Sequence, residues 1–298
     1  MMTTATFKHC ARLALQARIR LQLAIDAPTR PIDCALRLGL EVRMQKLPSL
    51  EGLYFPDSKA PLIVLGSDRP YGRIGSTTLH EIGHHLLGHG QKADWQRNEQ
   101  AENADQDDKF INVADKEDER FADCVGRLIG MPRSAVDAQL MRRGWKPENL
   151  TAHQASMLAG LFGVGYTTFL HQCCWQLQRL SPEKMRELLK FQPNEIARDL
   201  IGTRAEKVRV VHVDEQWTGV PIDLAVNDLA ILPANCQVDG SLAEVVEANS
   251  THTIIRGVRP GSGLVYRTEN AWGTTLRVSK RGYEGLADYR HLEDDDAN

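Results

Sequence analysis

At 298 residues the chain has length for about two domains of roughly 150 residues each. Hydrophobic residues make up 42% of it and charged residues 25%, a globular composition that excludes wholesale disorder and fibrous repeats. A net charge of −3 excludes a nucleic-acid coat.

The six cysteines (Cys10, Cys34, Cys124, Cys173, Cys174 and Cys236) are scattered and include no CxxC pair. They spell neither a disulfide framework nor a thiolate zinc site, and reduced thiols in the cytoplasm are expected.

Residues 8–25 predict an amphipathic helix, because Lys8, Arg12, Arg18 and Arg20 interrupt what would otherwise be a secretion-signal core. A second short helix is expected from Pro31 to Leu38 and is stopped by Gly39. Strands follow at Leu40–Met44 and Pro61–Leu65, with Gly52, Pro56 and Asp57 punctuating the connection between them. A helix runs from about Thr78 to Leu87, with Thr77 before it and Gly88 and Gly90 after it. Residues 91–120 hold ten acidic and five basic residues with little apolar periodicity, the mark of a solvated connection. Helical pattern resumes over Glu119–Gly130 and continues in short pieces from Arg133 to Lys190. From Val208 onward the texture turns to short β-rich runs (Val208–Val213, Asp228–Leu232, Thr253–Arg256, Leu264–Arg267, Leu276–Ser279), with a boundary near residues 200–207. Glu293–Asn298 reads as an acidic tail. The uncharged stretch 151–178 is too broken by polar residues to span a bilayer, so no membrane partner is expected.

Chemistry concentrates in His80-Glu81-Ile82-Gly83-His84. On a helix, positions i and i+4 share a face, so both imidazoles can reach one metal ion, and Glu81 can take a proton from a metal-bound water. A catalytic Zn2+ needs a third protein ligand. A histidine six residues after His84 would supply one, but Gly90 stands there. His85 and His89 read as groups that support the ligands or face solvent. No cysteine lies nearby in sequence. The downstream Glu119-Arg120-Phe121-Ala122-Asp123 puts Glu119 and Asp123 on one helical face, Glu119 to bind metal and Asp123 to accept the second ring N–H of a ligating histidine. Glu117 is the rival ligand. Tyr71, Arg73 and His153 are candidates for oxyanion or substrate contact.

The stretch Arg69-Pro70-Tyr71-Gly72-Arg73, continuing through Thr77-Thr78-Leu79-His80-Glu81-Ile82-Gly83-His84-His85-Leu86-Leu87-Gly88-His89, resembles the ImmA/IrrE family of metallopeptidases. That family pairs an FTLAHELGHLLLGH-like helix with a later EREANRFAAELLMP-like helix. Aligned without gaps on Met131-Pro132, the resemblance puts Glu119 at the family's metal-binding glutamate and Asp123 at its Asn/Asp position. Anchoring on Phe121-Ala122 instead would favour Asp115. The resemblance covers roughly half the chain, to about Leu180. It implies a cytoplasmic, zinc-dependent regulatory endopeptidase that cuts a helix-turn-helix transcriptional repressor of prophage, mobile-element or stress-response genes.

Residues 154–170 have the helix–glycine turn–helix texture of a helix-turn-helix, but the second helix, Tyr166 to Gln178, contains no Lys or Arg to hold phosphates, so direct DNA binding is not expected. Between residues 251 and 290 stand seven basic residues (Arg256, Arg259, Arg267, Arg277, Lys280, Arg281, Arg290) against three acids, a mild basic face. Trp217, Trp272 and Tyr266 read as core. The expected fold is α+β. It comprises a zincin-like helical metallopeptidase core with a small sheet over residues 1–150, a helical segment over 151–204 and a β-rich accessory domain over 205–298. Two other readings stay open: a non-proteolytic metal- or partner-sensing regulator on the same fold, and a DNA-binding regulator.

Overall fold

The computed structural model describes residues 4–95, 113–202 and 208–292. Residues 96–112, 203–207 and 293–298, where the acidic connection, the expected boundary and the acidic tail fall, lie outside the described residues.

The first helix, α1 (Thr4–Arg20), turns Cys10, Ala14 and Ala17 inward at helical spacing. Its Arg18 is also buried, and the guanidinium earns its place by donating to the carbonyls of Ile129 (2.7 Å), Ala27 (2.8 Å) and Ala24. Ile129 belongs to the last turn of α4 (Val113–Gly130), where carbonyls lack helical partners and a cation is favoured. Pro31 opens α2 (Pro31–Arg37), since its missing N–H costs nothing at a first helical position.

Five strands make the first sheet: β1 (Glu41–Gln45), β2 (Leu50–Phe55), β3 (Leu62–Gly66), β4 (Lys92–Trp95) and a short return strand β13 (Gly285–Leu286). Their order is β13-β1-β3-β2-β4, with β1 and β3 parallel and the other pairs antiparallel. Two of these strands fall where connections were expected, β2 in the punctuated stretch and β4 at the start of the acidic one.

Against this sheet lies α3 (Tyr71–Leu87), which begins nearly two turns earlier than its sequence suggests. Gly72 and Gly75 weaken helix propensity there, yet packing demands them. A Cβ on Gly72 would lie 2.7 Å from the carbonyl oxygen of Val164, and one on Gly75 would collide with that of Gly163.

The middle helices are α5 (Arg133–Arg142), α6 (Ala152–Phe162), α7 (Tyr166–His171), α8 (Pro182–Leu188) and α9 (Pro193–Ile201). Thr151 and Gln154 form a capping box on α6. The expected second helix of the helix-turn-helix is only six residues long before the chain passes into a π-helical turn at Gln172–Gln176. It buries Tyr166, Phe169 and Leu170, spending its apolar side on packing.

Beyond residue 207 come two four-stranded sheets. One runs β5 (Val210–His212), β7 (Leu229–Pro233), β10 (His252–Gly257), β9 (Ala243–Ala248); the other runs β6 (Ile222–Ala225), β12 (Gly273–Ser279), β11 (Gly261–Tyr266), β8 (Gln237–Val238). The chain is thus α+β, with a small N-terminal sheet and helices, a helical middle and a β-rich C-terminal region of two sheets. Trp217 and Trp272 are buried as expected, whereas Tyr266 is exposed on β11. One core cluster continues from Cys10 to Ala287, and β13 pairs with β1 through Arg43 opposite Leu286 and Met44 opposite Gly285.

Buried ion pairs reinforce this junction. Asp223 on β6 receives Arg277 through two nitrogens (2.6 and 3.0 Å), with Arg30 at 3.2 Å and the Tyr71 hydroxyl donating at 2.5 Å. Arg277 also reaches Asp33 at 2.8 Å, and Arg290 grips the other oxygen of that carboxylate at 3.1 Å. Among the described residues no helix is long and apolar enough to cross a membrane.

Candidate metal centre and the cleft beside it

Helices α3 and α4 pack closely because both present glycine at the crossing. A Cβ on Gly83 would collide with the carbonyl oxygen of Ala122, and one on Gly126 with that of Leu79. Backbone-to-backbone approach of this kind brings a residue of α4 within reach of short imidazoles on α3.

At the crossing, the Nε2 atoms of His80 and His84 lie 2.9 Å apart. Glu119 places one carboxylate oxygen 3.0 Å from His80 Nε2 and the other 3.4 Å from His84 Nε2. One ligand atom from each of the three residues thus lies within 4.8 Å of the other two. Ligands held at about 2.0 Å in a tetrahedron stand about 3.3 Å apart, so this spacing fits a zinc-sized cation with little adjustment. The chemistry of the donors fits too: two ring nitrogens and a carboxylate, the borderline set that zinc accepts.

Each ring's other nitrogen is also engaged. His80 Nδ1 is 2.9 Å from Asp123 Oδ1, and Arg127 donates to Asp123 Oδ2 at 3.3 Å. His84 Nδ1 is 2.8 Å from His89 Nδ1, and His89 Nε2 is 3.4 Å from Asp118 Oδ1, which Lys92 meets from β4 at 3.2 Å through Oδ2. His85 faces the sheet, its Nδ1 3.0 Å from the Tyr54 hydroxyl. The delivery of His89 is a local matter of helix termination. Gly88, in the left-handed region at φ 69°, closes α3 by donating to the carbonyl of His85, while the His89 N–H reaches back to that of His84. That turn folds the His89 ring back over the helix it has just left.

Electrostatics follow from the same contacts. Burial opposes charge on His80, but its hydrogen bonds to Asp123 and Glu119 outweigh it and raise the pKa well above that of an ordinary imidazole. Burial lowers His84, against the pull of Glu119. Burial alone would raise Glu119, yet its hydrogen bonds with both imidazoles hold it far below the usual carboxylate range.

Glu81 is fully buried on the helix between the two histidines. Strand β2 passes directly over it at Gly52, where an added Cβ would come within 2.8 Å of Glu81 Oε1.

A cleft of about 980 Å³ opens beside the centre, with His80, Asp123 and Arg127 in its lining. Tyr71, Arg73 and His153 line the same cleft. The Tyr71 hydroxyl is given to Asp223, and Arg73 meets Glu51 at 3.3 Å. His153 keeps Nε2 without a hydrogen-bond partner among the described residues. Glu117, the rival to Glu119, is absent from the grouped ligand atoms, and Asp115 falls among residues whose side chains are not described.

His80 and His84, four residues apart, and Glu119, thirty-five residues beyond the second of them, are therefore brought together. The structure adds Asp118, Arg127 and a defined place for His89. Only His89 had a usable signal in the chain, a histidine directly after the glycine that ends the helix. The site is a buried His-His-Glu group of the HExxH type that could hold a metal ion. No known protein-family model matches this chain, and no curated protein is a significant match to it.

Proposed function

We propose that the protein is a zinc-dependent endopeptidase of the kind the ImmA/IrrE resemblance implies. The observation that carries this reading is the joining of His80, His84 and Glu119 with a buried glutamate, Glu81, on the same helical turn. In this reading His80 and His84 bind the ion through Nε2 and Glu119 through a carboxylate oxygen. Asp123 keeps the proton on His80 Nδ1 and so leaves Nε2 its lone pair. Zinc, when bound, supplies a Lewis acid for the scissile carbonyl and lowers the pKa of its water towards about 7. Glu81 accepts the proton of the attacking water and returns it to the nitrogen of the leaving amine. Of the three candidates for the carbonyl oxygen we favour His153, since the Tyr71 hydroxyl is spent on Asp223 and Arg73 meets Glu51.

The division of labour we propose assigns the metal chemistry to residues 1–150, a helical packing segment to 151–204 and an accessory role to 205–298. The substrate is a protein, and by resemblance a helix-turn-helix repressor met in the cytoplasm. Buried glutamate beside the metal group favours hydrolysis over a purely metal-sensing role, which has no use for Glu81.

Glu81→Gln is the test. The variant should retain zinc at one ion per chain while cleavage of a co-expressed repressor encoded beside this chain falls at least about 100-fold, the usual range for losing a general base. Undiminished cleavage in that variant rejects Glu81 as the proton carrier.

A further inference from the structure

The basic residues between 251 and 290 have no part in the chemistry above, and the structure sorts them by environment. Arg256 pairs with Glu244 at 3.0 Å and Arg267 with Glu215 at 2.9 Å. Arg277 and Arg290 serve the part-exposed carboxylate of Asp33, and Arg277 also the buried one of Asp223. Lys280 makes no ion pair among the described residues, and Arg281, although it meets Asp228, keeps half of its side chain exposed. They follow β12 and line the same cleft that reaches His80 and Asp123, together with Arg209 from the run leading into β5.

Lys280 and Arg281 are accessible to a ligand, and the Arg209 side chain is a quarter exposed. Lys280 is exposed and has no ion-pair partner among the described residues. The Arg281 side chain is 50% exposed even though it donates to Asp228 at 2.7 Å and to the carbonyl of Val226 at 3.2 Å. Arg209 lies over the Tyr71 ring, 4.1 Å from its centroid, with one nitrogen on the Asp223 carbonyl at 2.8 Å. The acids of this wall leave it a positive balance. Asp223, 2% exposed, is turned inward onto Arg30 and Arg277, while Asp228, 5% exposed, accepts from the backbone N–H of Ala225 and lies 2.7 Å from Arg281 and 3.9 Å from Arg209, so three cations here share one acid. A chain that is acidic overall thus offers a positive wall to whatever occupies the cleft.

We propose that Arg209, Lys280 and Arg281 form a subsite for acidic side chains of the peptide substrate, so that the β-rich region selects which peptide reaches the metal centre. This rests on the endopeptidase reading for the word substrate, though not for the binding itself. An extended peptide advances about 3.3 Å per residue, so one lying along the cleft from the metal centre carries its side chains past a lining that includes this wall. The half-exposed Arg281 guanidinium has further N–H groups for a carboxylate beyond those given to Val226 and Asp228, and Lys280 adds a point charge. A nucleic acid is the poorer fit. The Tyr71 face on which a base would stack is taken by Arg209, Tyr166 is buried, and half-exposed Asp68 stands in the same cleft against a run of phosphates.

The test uses the zinc-loaded Glu81→Gln chain and three fluorescein-labelled decapeptides identical except for Glu, Gln or Lys at alternate positions. Fluorescence anisotropy should show the Glu peptide bound about tenfold more tightly than the Gln peptide, the combined effect of three partly exposed pairs, with the advantage shrinking at high salt. Lys280→Glu alone should cut that preference several-fold. Lys280→Glu with Arg281→Glu should turn it towards the Lys peptide, with an unchanged circular dichroism spectrum showing that the fold persists. Equal binding of the three peptides overturns the proposal. So does tighter binding of a single-stranded decanucleotide, or displacement of the Glu peptide by an equal concentration of inorganic phosphate. If the unmutated, zinc-loaded chain cuts none of the peptides yet keeps the Glu preference, the subsite stands and the peptidase reading is what fails.

Discussion

Asp223 and Glu119 are two carboxylates drawn into the protein, and they have collected opposite kinds of partner. Around Asp223 the chain supplies permanent cations, Arg277 through two nitrogens and Arg30 at 3.2 Å, with the Tyr71 hydroxyl in addition. Around Glu119 it supplies imidazoles, whose charge depends on a proton that a metal ion can replace. The first arrangement neutralises itself and locks elements together. The second leaves ring nitrogens converging on one point and is completed by an exchangeable cation. Burial of an acid is common to both, so the donors around it decide between a strut and a site.

The largest expected effect breaks the strut. Asp223→Asn leaves Arg30 buried without its countercharge and Arg277 with Asp33 alone, and losing one partner of a buried pair costs about 3–5 kcal/mol. Thermal unfolding should shift down by about 10 °C, equally with and without zinc. The same network sets an acid limit on stability. Burial would raise the Asp223 pKa, but Arg30 and Arg277 hold it well below the ordinary 3.8. A depressed folded pKa stabilises fully above the unfolded value and loses that contribution as pH falls below about 4, towards the folded pKa. Denaturation midpoints followed down to acid pH should show this limb in the parent chain and a flatter one in Asp223→Asn.

Glu119→Gln is the mirror experiment. Removing a direct ligand should weaken zinc binding more than the 10–100-fold typical of supporting residues, while the melting point of the metal-free chain moves little. If instead Glu119→Gln unfolds the metal-free protein as Asp223→Asn does, the distinction between strut and site collapses. A third measurement sharpens it further. Asp123 and Glu119 raise the His80 pKa above that of an ordinary imidazole, so in the metal-free chain it holds its second proton to higher pH than a free histidine does. Zinc must displace that proton, so calorimetry in buffers of different ionisation heats should register about one proton released per ion. Affinity should rise about tenfold per pH unit until the folded pKa of His80 is passed. The Asp223 network, with no ion to bind, contributes nothing to that release.

How much of this was legible in the amino-acid order depends on how local the cause is. His80, Glu81 and His84 declare themselves because a helical repeat places them together, and Glu119 with Asp123 does so through a second repeat. The helices and most β runs follow from apolar periodicity for the same reason. The early turns of α3 stay hidden because Gly72 and Gly75 answer to Val164 and Gly163, about ninety residues away. Strand β2 is masked by Gly52, which makes room for α3 and breaks the apolar alternation. Asp223 gives no sign at all. Its partner Arg30 is 193 positions earlier, and nothing near either residue marks the pairing. Two-residue β13 carries too little pattern to announce that the chain returns to its first sheet.

The smallest of these effects tests the support of the second histidine. If His84 binds through Nε2, its Nδ1 must carry the hydrogen, so at 2.8 Å the Nδ1 of His89 can only accept. The His89 proton then sits on Nε2, which faces Asp118 Oδ1 at 3.4 Å, and Lys92 steadies that carboxylate. One tautomer is consistent with every contact in the series, and it requires a neutral His89 ring, towards which burial lowers its pKa. His89→Phe keeps a ring but removes the acceptor, and zinc affinity measured with a competing chelator should fall about tenfold, the low end for a supporting partner. His89→Asn restores an acceptor near the position of Nδ1 and should recover part of the loss. Equal losses in the two variants would mean that His89 merely fills space. Recovery in Asn alone would mean that the hydrogen bond orients His84, as Asp123 orients His80 on the other side of the same ion.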